Sequence, residues 1–225
     1  MPSPLPRLFE FSEGQWGLVT RRQAEYLGVP AATFARLVGR GLLDRVAHGV
    51  YRIRGAGEAD HLELRAAWLQ LDSGRPAWER LDDQRVVVVS HTSAAAMYGV
   101  GDLRADVHEF TSPQRRQTRR PDVRIHRGLI ADDDRIVLRG LPVTRPGRTI
   151  ADLLVDRIEP VSVARITADV LEGSNEYPRV VAEKMAPHAA DFGMKAGDGV
   201  GLLEHFLDLA GDRLERRRIL EEARS

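Results

Sequence analysis

The sequence predicts an α+β protein, in which an N-terminal winged helix-turn-helix precedes a mixed α/β domain with a helical C-terminal end. Three observations support this prediction. The first 55 residues contain two short helices, a tight connector and a β-hairpin, in the order of a winged helix. Short β-branched runs follow between residues 86 and 141, and helical periodicity dominates beyond residue 149.

Capping and turn residues predict the helix-turn-helix. Thr20 and Gln23 have the spacing of a capping box, in which a hydroxyl accepts from an orphan N–H and an amide reaches back. The first helix is expected to end at Gly28, and Pro30 suits the start of the second. After this helix, alternating apolar residues over 42–53 predict a β-hairpin that turns at Ala47-His48-Gly49.

Gly55-Ala56-Gly57 is the best candidate for a domain boundary, because glycines punctuate structure. We therefore predict a winged helix-turn-helix DNA-binding domain over 1–57 and a mixed α/β domain that ends in helices over 58–225. In the second domain the expected strands are 86–89, 107–111, 123–127 and 136–141. The expected helices there are 59–71, an Ala-rich helix capped by Ser90 or Thr92, 149–155, 161–171, 179–185 and 200–210. The charged segment 213–224 is interpreted as either a helix or a frayed tail.

Composition excludes several classes of protein. With 43% hydrophobic and 29% charged residues, the 225-residue chain has the composition of a folded globular protein. No apolar run approaches the roughly 20 residues of a membrane helix, and the N-terminus has no secretory-signal pattern. We therefore expect a cytoplasmic protein without a membrane partner. The absence of cysteine excludes disulfides and thiolate metal sites.

Charge is distributed unevenly although the formal total is zero. The net charge is +3 over residues 1–58, +2 over 59–150 and −5 over 151–225. Of the 33 basic residues, only Lys184 and Lys195 are lysines. An anionic partner is therefore expected to meet the arginines of the first two thirds, since guanidinium groups suit bidentate contacts to phosphate and guanine.

A winged helix places its second helix in the DNA major groove and its hairpin beside the backbone. The candidate DNA-binding residues lie on the polar sides of these elements: Arg21, Arg22, Thr33, Arg36, Arg40, Arg45, His48 and Arg52. The alternative interpretation is a small helical subdomain whose arginines only solvate a surface.

A second basic cluster lies outside the winged helix. It consists of Arg115, Arg116, Arg119 and Arg120, and amide and hydroxyl side chains separate the two pairs. On electrostatic grounds this loop binds anions, and DNA, RNA or an acidic protein surface would fit it. The alternative is an exposed, solvated hairpin.

Motifs for enzymatic chemistry are missing. The seven histidines have none of the short spacings that place two imidazoles on one helix or strand face. No nucleophile elbow, phosphate-binding loop or dinucleotide fingerprint occurs. Asp132-Asp133-Asp134 could hold Mg²⁺, but three consecutive carboxylates between strands are interpreted as a solvated turn. We therefore assign no catalytic residue, metal ligand or cofactor.

Four segments carry a resemblance to a known family. They are 17–24 (GLVTRRQA), 42–51 (LLDRVAHGVY), 90–99 (SHTSAAAMYG) and 140–153 (GLPVTRPGRTIADL). The first two resemble the N-terminal winged helix of AbiEi-type antitoxins of type IV toxin–antitoxin systems, and the others are similar to downstream blocks of that family. The resemblance covers about residues 14–155.

This resemblance implies an antitoxin that binds inverted repeats upstream of its own operon and represses it. It also implies that the protein counteracts a nucleotidyltransferase toxin encoded next door, directly or indirectly. Some relatives carry an endonuclease-like domain, but the acidic motifs of such a domain are not recognisable here. The alternative function is a DNA-acting enzyme, a nuclease or nucleotidyltransferase, with a winged-helix head.

Overall fold

The computed structural model describes residues 4–211 and 216–224, which form two compact units. The first unit extends to Val87 and includes residues 139–141, and the second comprises the rest from Val88 onward. Within the described residues there are ten α-helices and two sheets. This confirms the predicted α+β class with its N-terminal helix-turn-helix and helical end.

The first unit has the element order of a winged helix. Its elements are α1 (Pro4–Glu13), β1 (Leu18–Thr20), α2 (Arg21–Tyr26), α3 (Ala31–Gly39), β2 (Leu43–Ala47), β3 (Val50–Ile53) and α4 (Leu62–Leu71). The three strands form an antiparallel sheet in the order β1-β3-β2. Strand β1 was not predicted, because three residues are too few to display alternation.

The capping box at the start of α2 is confirmed. The Gln23 N–H donates to the Thr20 hydroxyl at 3.0 Å, and the Thr20 N–H donates to Gln23 Oε1 at 2.9 Å. Gly28 takes the expected positive φ of 76° after the helix. Pro30 lies one position earlier than expected, as the N-cap of α3. Both helix starts are therefore determined by local sequence.

The core of the winged helix is formed by the apolar faces of α1, α2 and α3 against the sheet. Leu8, Val19, Phe34, Leu43 and Ile53 are each 2% exposed or less. The Phe34 ring meets the Tyr51 ring edge-on at 4.9 Å between centroids. These contacts join α3 to the wing strands and orient its polar face outward.

The first compact unit continues past the predicted domain boundary at 57/58. Trp68 of α4 is fully buried and donates to the Val87 carbonyl at 2.7 Å. The Thr20 hydroxyl donates to the Ser73 carbonyl at 2.5 Å, and the Gln23 amide donates to the Arg75 carbonyl at 2.9 Å. The unit extends to Val87 because the side chains of Thr20 and Gln23 form hydrogen bonds with the backbone after α4.

The second unit is built on a five-stranded mixed sheet. Its strands are β4 (Val88–Val89), β5 (His108–Ser112), β6 (Val123–Arg127), β7 (Arg135–Leu138) and β8 (Leu141–Thr144), in the order β6-β5-β4-β8-β7. Strand β4 pairs antiparallel with β5 and parallel with β8, and β5 pairs parallel with β6. The prediction of a single strand over 136–141 is wrong. Arg139 and Gly140 have positive φ angles, so the segment forms two strands, β7 and β8.

Helices follow the sheet, as predicted. They are α5 (His91–Tyr98) between the first two strands, then α6 (Pro146–Val155), α7 (Pro160–Glu172), α8 (Pro178–Met185), α9 (Gly199–Ala210) and α10 (Arg216–Arg224). Leu153, Ile166, Met185 and Phe206 are fully buried in their common core. The predicted segment 213–224 is helical from 216, and residues 212–215 lie outside the described part.

No helix in the described ranges 4–211 and 216–224 has the length and apolarity needed to cross a membrane.

We expect the Thr20→Ala substitution to destabilise the first unit by about 2 kcal/mol, because it removes the cap of α2 and the hydrogen bond to Ser73. Urea unfolding of the full chain measures this loss. The matched control is Glu25→Ala in the same helix, which removes only an exposed ion pair with Arg21 and should cost less than about 0.5 kcal/mol. Equal stability of both variants would contradict a structural role for the cap.

Candidate nucleic-acid interface

The first group of predicted contact residues lies on the outer face of α3. Arg36 and Arg40 are exposed, and Thr33 is half-buried. The Arg36 guanidinium donates to the Thr33 hydroxyl at 3.0 Å. Phe34 and Leu37 occupy the opposite, buried face of the helix. Amphipathic spacing therefore presents two arginines one helical turn apart, on the face that a winged helix turns to DNA.

The second group lines an open cleft of about 710 Å³ beside the wing. Four predicted residues meet there: Arg21, Arg22, Arg45 and His48. Two of them lie in the first turn of α2, and the other two belong to the hairpin β2–β3. The fold therefore concentrates basic side chains that are more than 20 residues apart in the sequence.

Arg21 joins α2 to the wing. Its backbone N–H donates to the Gly49 carbonyl at 2.8 Å. Its guanidinium pairs with Glu25 at 2.9 Å and lies 5.0 Å from the centre of the Phe34 ring. The buried Nη1 atom has no hydrogen-bond partner among the described residues. Because a buried guanidinium N–H needs an acceptor, Arg21 retains capacity for an anionic group in the cleft.

The wing is short and fixed at its tip. The hairpin turns at His48 and Gly49, and Gly49 has a φ of 72°. The register shifts by one residue between Arg45 and Ala47, which is the pattern of a β-bulge. An Arg45 Nη2 atom lies 3.2 Å from His48 Nδ1, so the two side chains form one polar group. The Gln70 side chain of α4 donates to the His48 carbonyl at 2.7 Å.

Arg52 lies on the other side of the sheet from this cleft. In the register of β2 and β3, Arg45 faces Tyr51 while Asp44 faces Arg52, so the two arginines point to opposite faces. The Arg52 guanidinium donates to the carbonyls of Ala56 and Gly57 at 2.9 and 2.8 Å. The structure therefore does not bring Arg52 together with the other predicted residues.

Pairing reduces the negative charge near the wing. Asp44 is the one carboxylate of the hairpin, and it accepts a 2.8 Å hydrogen bond from Arg54. The Arg54 guanidinium lowers the pKa of Asp44 through this hydrogen bond. Asp44 is therefore ionised and compensated at neutral pH, and the exposed charge of the surrounding surface is positive.

Sequence reasoning missed five lining residues of the cleft, of which Gly49 and Val50 directly follow the predicted His48. Tyr51 belongs to the wing, whereas Gln70 and Ser73 come from α4 and the residue pair after it. Gln70 and Ser73 lie beyond the predicted boundary, and no local pattern marks them. Tyr51 could have been found, because strand alternation places it on the same face as Arg45.

The basic loop of 115–120 connects β5 to β6. These strands are parallel, with His108 opposite Val123, so the alternative of a hairpin is wrong and the loop is a crossover. Arg115 and Arg119 are exposed. Arg120 instead pairs with Asp122, and this hydrogen bond lowers the pKa of Asp122 to about 2.

Asp134 departs from the expected solvated turn. Asp132 and Asp133 are exposed in a short 3₁₀ turn, but Asp134 is buried. Its carboxylate forms ion pairs with Arg148, at 3.3 Å, and with Lys184. Two cations therefore compensate this carboxylate, so it anchors helices α6 and α8 to the turn before β7.

Comparison with known proteins bears on the winged helix. Residues 6–54 match the family described as "Transcriptional regulator, AbiEi antitoxin". The N-terminal segment of this chain is similar to AbiEi antitoxins. The match spans α1 to β3 and confirms the family suggested by the sequence motifs there. No curated protein matches the chain significantly. The description of that family names transcriptional regulators that act as antitoxins.

Proposed function

We propose that this protein is a DNA-binding antitoxin that represses its own operon and counteracts a nucleotidyltransferase toxin. The observation that carries the proposal is the position of the AbiEi match. It coincides with the winged helix whose exposed surface gathers the arginines of α2, α3 and the wing. In this proposal the protein acts by binding and not by catalysis.

In the proposed complex, α3 enters the major groove and the cleft meets the phosphate backbone. Arg36 and Arg40 are four residues apart on one exposed face, which allows both to reach the same groove. Arg22, Arg45 and His48 line the cleft at the edge of that surface and suit phosphate oxygens. Thr33 holds Arg36 and orients it. Arg52 is assigned a lesser role because its guanidinium is bound to backbone carbonyls.

The operator in this proposal is an inverted repeat bound by two copies of the chain. One winged helix reads only a few base pairs, which is too little for specific regulation. Two copies related by twofold symmetry read two half-sites and multiply the specificity.

The toxin partner is inferred from the AbiEi family alone. An adjacent gene for a nucleotidyltransferase would support it, and co-expression of the two genes tests protection of growth. The alternative of a nuclease or nucleotidyltransferase with a winged-helix head has less support. In the acidic run 132–134, Asp134 is buried and compensated by Arg148 and Lys184.

We expect the double variant Arg36→Ala/Arg40→Ala to weaken operator binding about 10- to 100-fold, because removal of a base contact costs about 1–3 kcal/mol. Removal of a phosphate contact lowers the slope of log affinity against log salt by about 1. Mobility-shift titrations at several salt concentrations measure both quantities.

The matched control is Arg165→Ala/Arg179→Ala, which removes two exposed arginines from α7 and α8. This control should bind the operator like the wild type. Unchanged affinity and salt slope in Arg36→Ala/Arg40→Ala would show that α3 is not the recognition helix.

We expect two symmetrical half-sites in a footprint of the protein on its own promoter. Their centres should lie about one helical turn, roughly 34–36 Å, or a multiple of it apart. Changing the spacing by half a turn should abolish binding of the second copy. A single asymmetric footprint of one module would contradict the two-copy arrangement.

The basic loop distinguishes DNA binding from antitoxicity. We propose that Arg115, Arg116, Arg119 and Arg120 extend the DNA contact, because the loop shares the positive charge of the front of the chain. We expect a variant with all four changed to Ala to bind the operator more weakly and with a smaller salt slope. Growth protection should survive when expression is driven from an unrelated promoter.

Normal repression combined with a loss of protection would instead assign the loop to the toxin. A folded variant that represses and protects normally would show that the four arginines only solvate the crossover. The matched control is again Arg165→Ala/Arg179→Ala, which removes two exposed arginines outside the loop and should leave operator binding unchanged.

A further inference from the structure

Two histidines and a carboxylate meet in the second unit, and only His91 lies in one of the segments that resemble the AbiEi family. His91 begins α5, His126 lies on β6, and Asp156 caps the C-terminal end of α6. One nitrogen of each imidazole and one oxygen of Asp156 lie within 4.8 Å of one another. His91 Nε2 and His126 Nδ1 are each 3.9 Å from Asp156 Oδ2. The spacing of 35 residues between the histidines concealed this cluster from sequence reasoning.

The imidazole nitrogen that faces away from Asp156 contacts a polar side chain in both histidines. His126 Nε2 lies 3.2 Å from Glu109 Oε1, and the Glu109 side chain is almost completely buried. His91 Nδ1 lies 2.9 Å from the Ser90 hydroxyl, which also accepts from Thr111 at 2.8 Å. These partners direct His91 Nε2 and His126 Nδ1 toward Asp156. A carboxylate behind a histidine is the usual outer-shell partner of a metal-binding imidazole.

Neither imidazole forms a direct hydrogen bond with Asp156. The distances of 3.9 Å are too long for hydrogen bonds from the imidazoles to Asp156. The Asp156 carboxylate accepts no side-chain hydrogen bond within residues 4–211 and 216–224, and 26% of its side chain is exposed. His91 has a φ of 54°, and a non-glycine residue in this region is held there by its surroundings.

The three donors reach coordination distance only after one imidazole ring turns. Tetrahedral coordination at 2.0–2.2 Å requires donor atoms about 3.4 Å apart, so each 3.9 Å separation must shorten by about 0.5 Å. The two rings now stack with centroids 3.6 Å apart and planes inclined by 11°. One ring must turn out of this stack, because lone pairs in parallel planes do not converge. His126 has room to turn, since 19% of its side chain is exposed.

We propose that His91, His126 and Asp156 bind one divalent transition-metal ion. Zn²⁺ fits best, because two neutral imidazoles and one carboxylate are a ligand set that it takes. Three protein ligands leave at least one coordination position for water or an anion. The ion would connect α5, β6 and α6, and this proposal does not depend on the proposed function in DNA binding.

Titration of the metal-free full-length protein with Co²⁺ tests the site through the visible absorption of the bound ion. We expect saturation at one Co²⁺ per chain, displacement by Zn²⁺, and a higher unfolding temperature with Zn²⁺ than with a chelator. His126→Ala and Asp156→Asn should each weaken Co²⁺ binding about 100-fold or more. Glu109→Gln should weaken it about 10- to 100-fold, as loss of an outer-shell carboxylate does.

The matched control is His188→Ala, which removes a histidine outside the cluster and should bind Co²⁺ like the wild type. Circular dichroism confirms that each variant is folded, and His126→Gln replaces His126→Ala if the latter unfolds. No saturable Co²⁺ spectrum in the wild type would overturn the proposal. Equal Co²⁺ affinity in the wild type, His126→Ala and Asp156→Asn would also overturn it.

Discussion

A pair of buried glutamine side chains holds the winged helix together. Gln15 and Gln23 exchange hydrogen bonds through their amides, at 2.7 and 3.3 Å, and both are 1% exposed or less. The same amides bind the Leu18 and Arg75 carbonyls and the N–H groups of Thr20 and Ala77. Buried polar groups are costly unless every bond is made. This network therefore specifies one arrangement of α1, β1, α2 and the chain after α4.

The position of the basic surface depends on that arrangement. The network fixes the start of α2, where the Arg21 N–H reaches the Gly49 carbonyl of the wing. The Phe34 and Tyr51 rings then orient α3 against β3, with the Arg21 guanidinium over Phe34. The buried amides of Gln15 and Gln23 therefore determine, through the contacts of α2 and α3, the direction in which the arginines point. The basic surface is formed by arginine side chains, and the packing of the interior determines where they lie.

The winged helix was predictable because its signals are local. Thr20 with Gln23, Gly28 and the alternation in the hairpin each act within a few residues, and the AbiEi match confirmed the family. The cleft was predicted only in part, since Gln70 reaches the wing from α4. The histidine cluster was not predicted, because parallel pairing of β5 with β6 brings together residues that are distant in sequence. Contacts between residues that are distant in the chain produce no periodic pattern in a single sequence.

The family match and the compact unit end at different places in the chain, because α2 and its cap form hydrogen bonds with the chain after α4. The stretch shared with the AbiEi family ends at residue 54, yet Thr20 and Gln23 find their acceptors at Ser73 and Arg75. A fragment cut at the family border would leave buried donors without acceptors and would lose Trp68 from its interior. The stretch that matches the family is therefore smaller than the compact unit to which it belongs. Recombination that transplants this DNA-binding head must carry about 30 further residues with it.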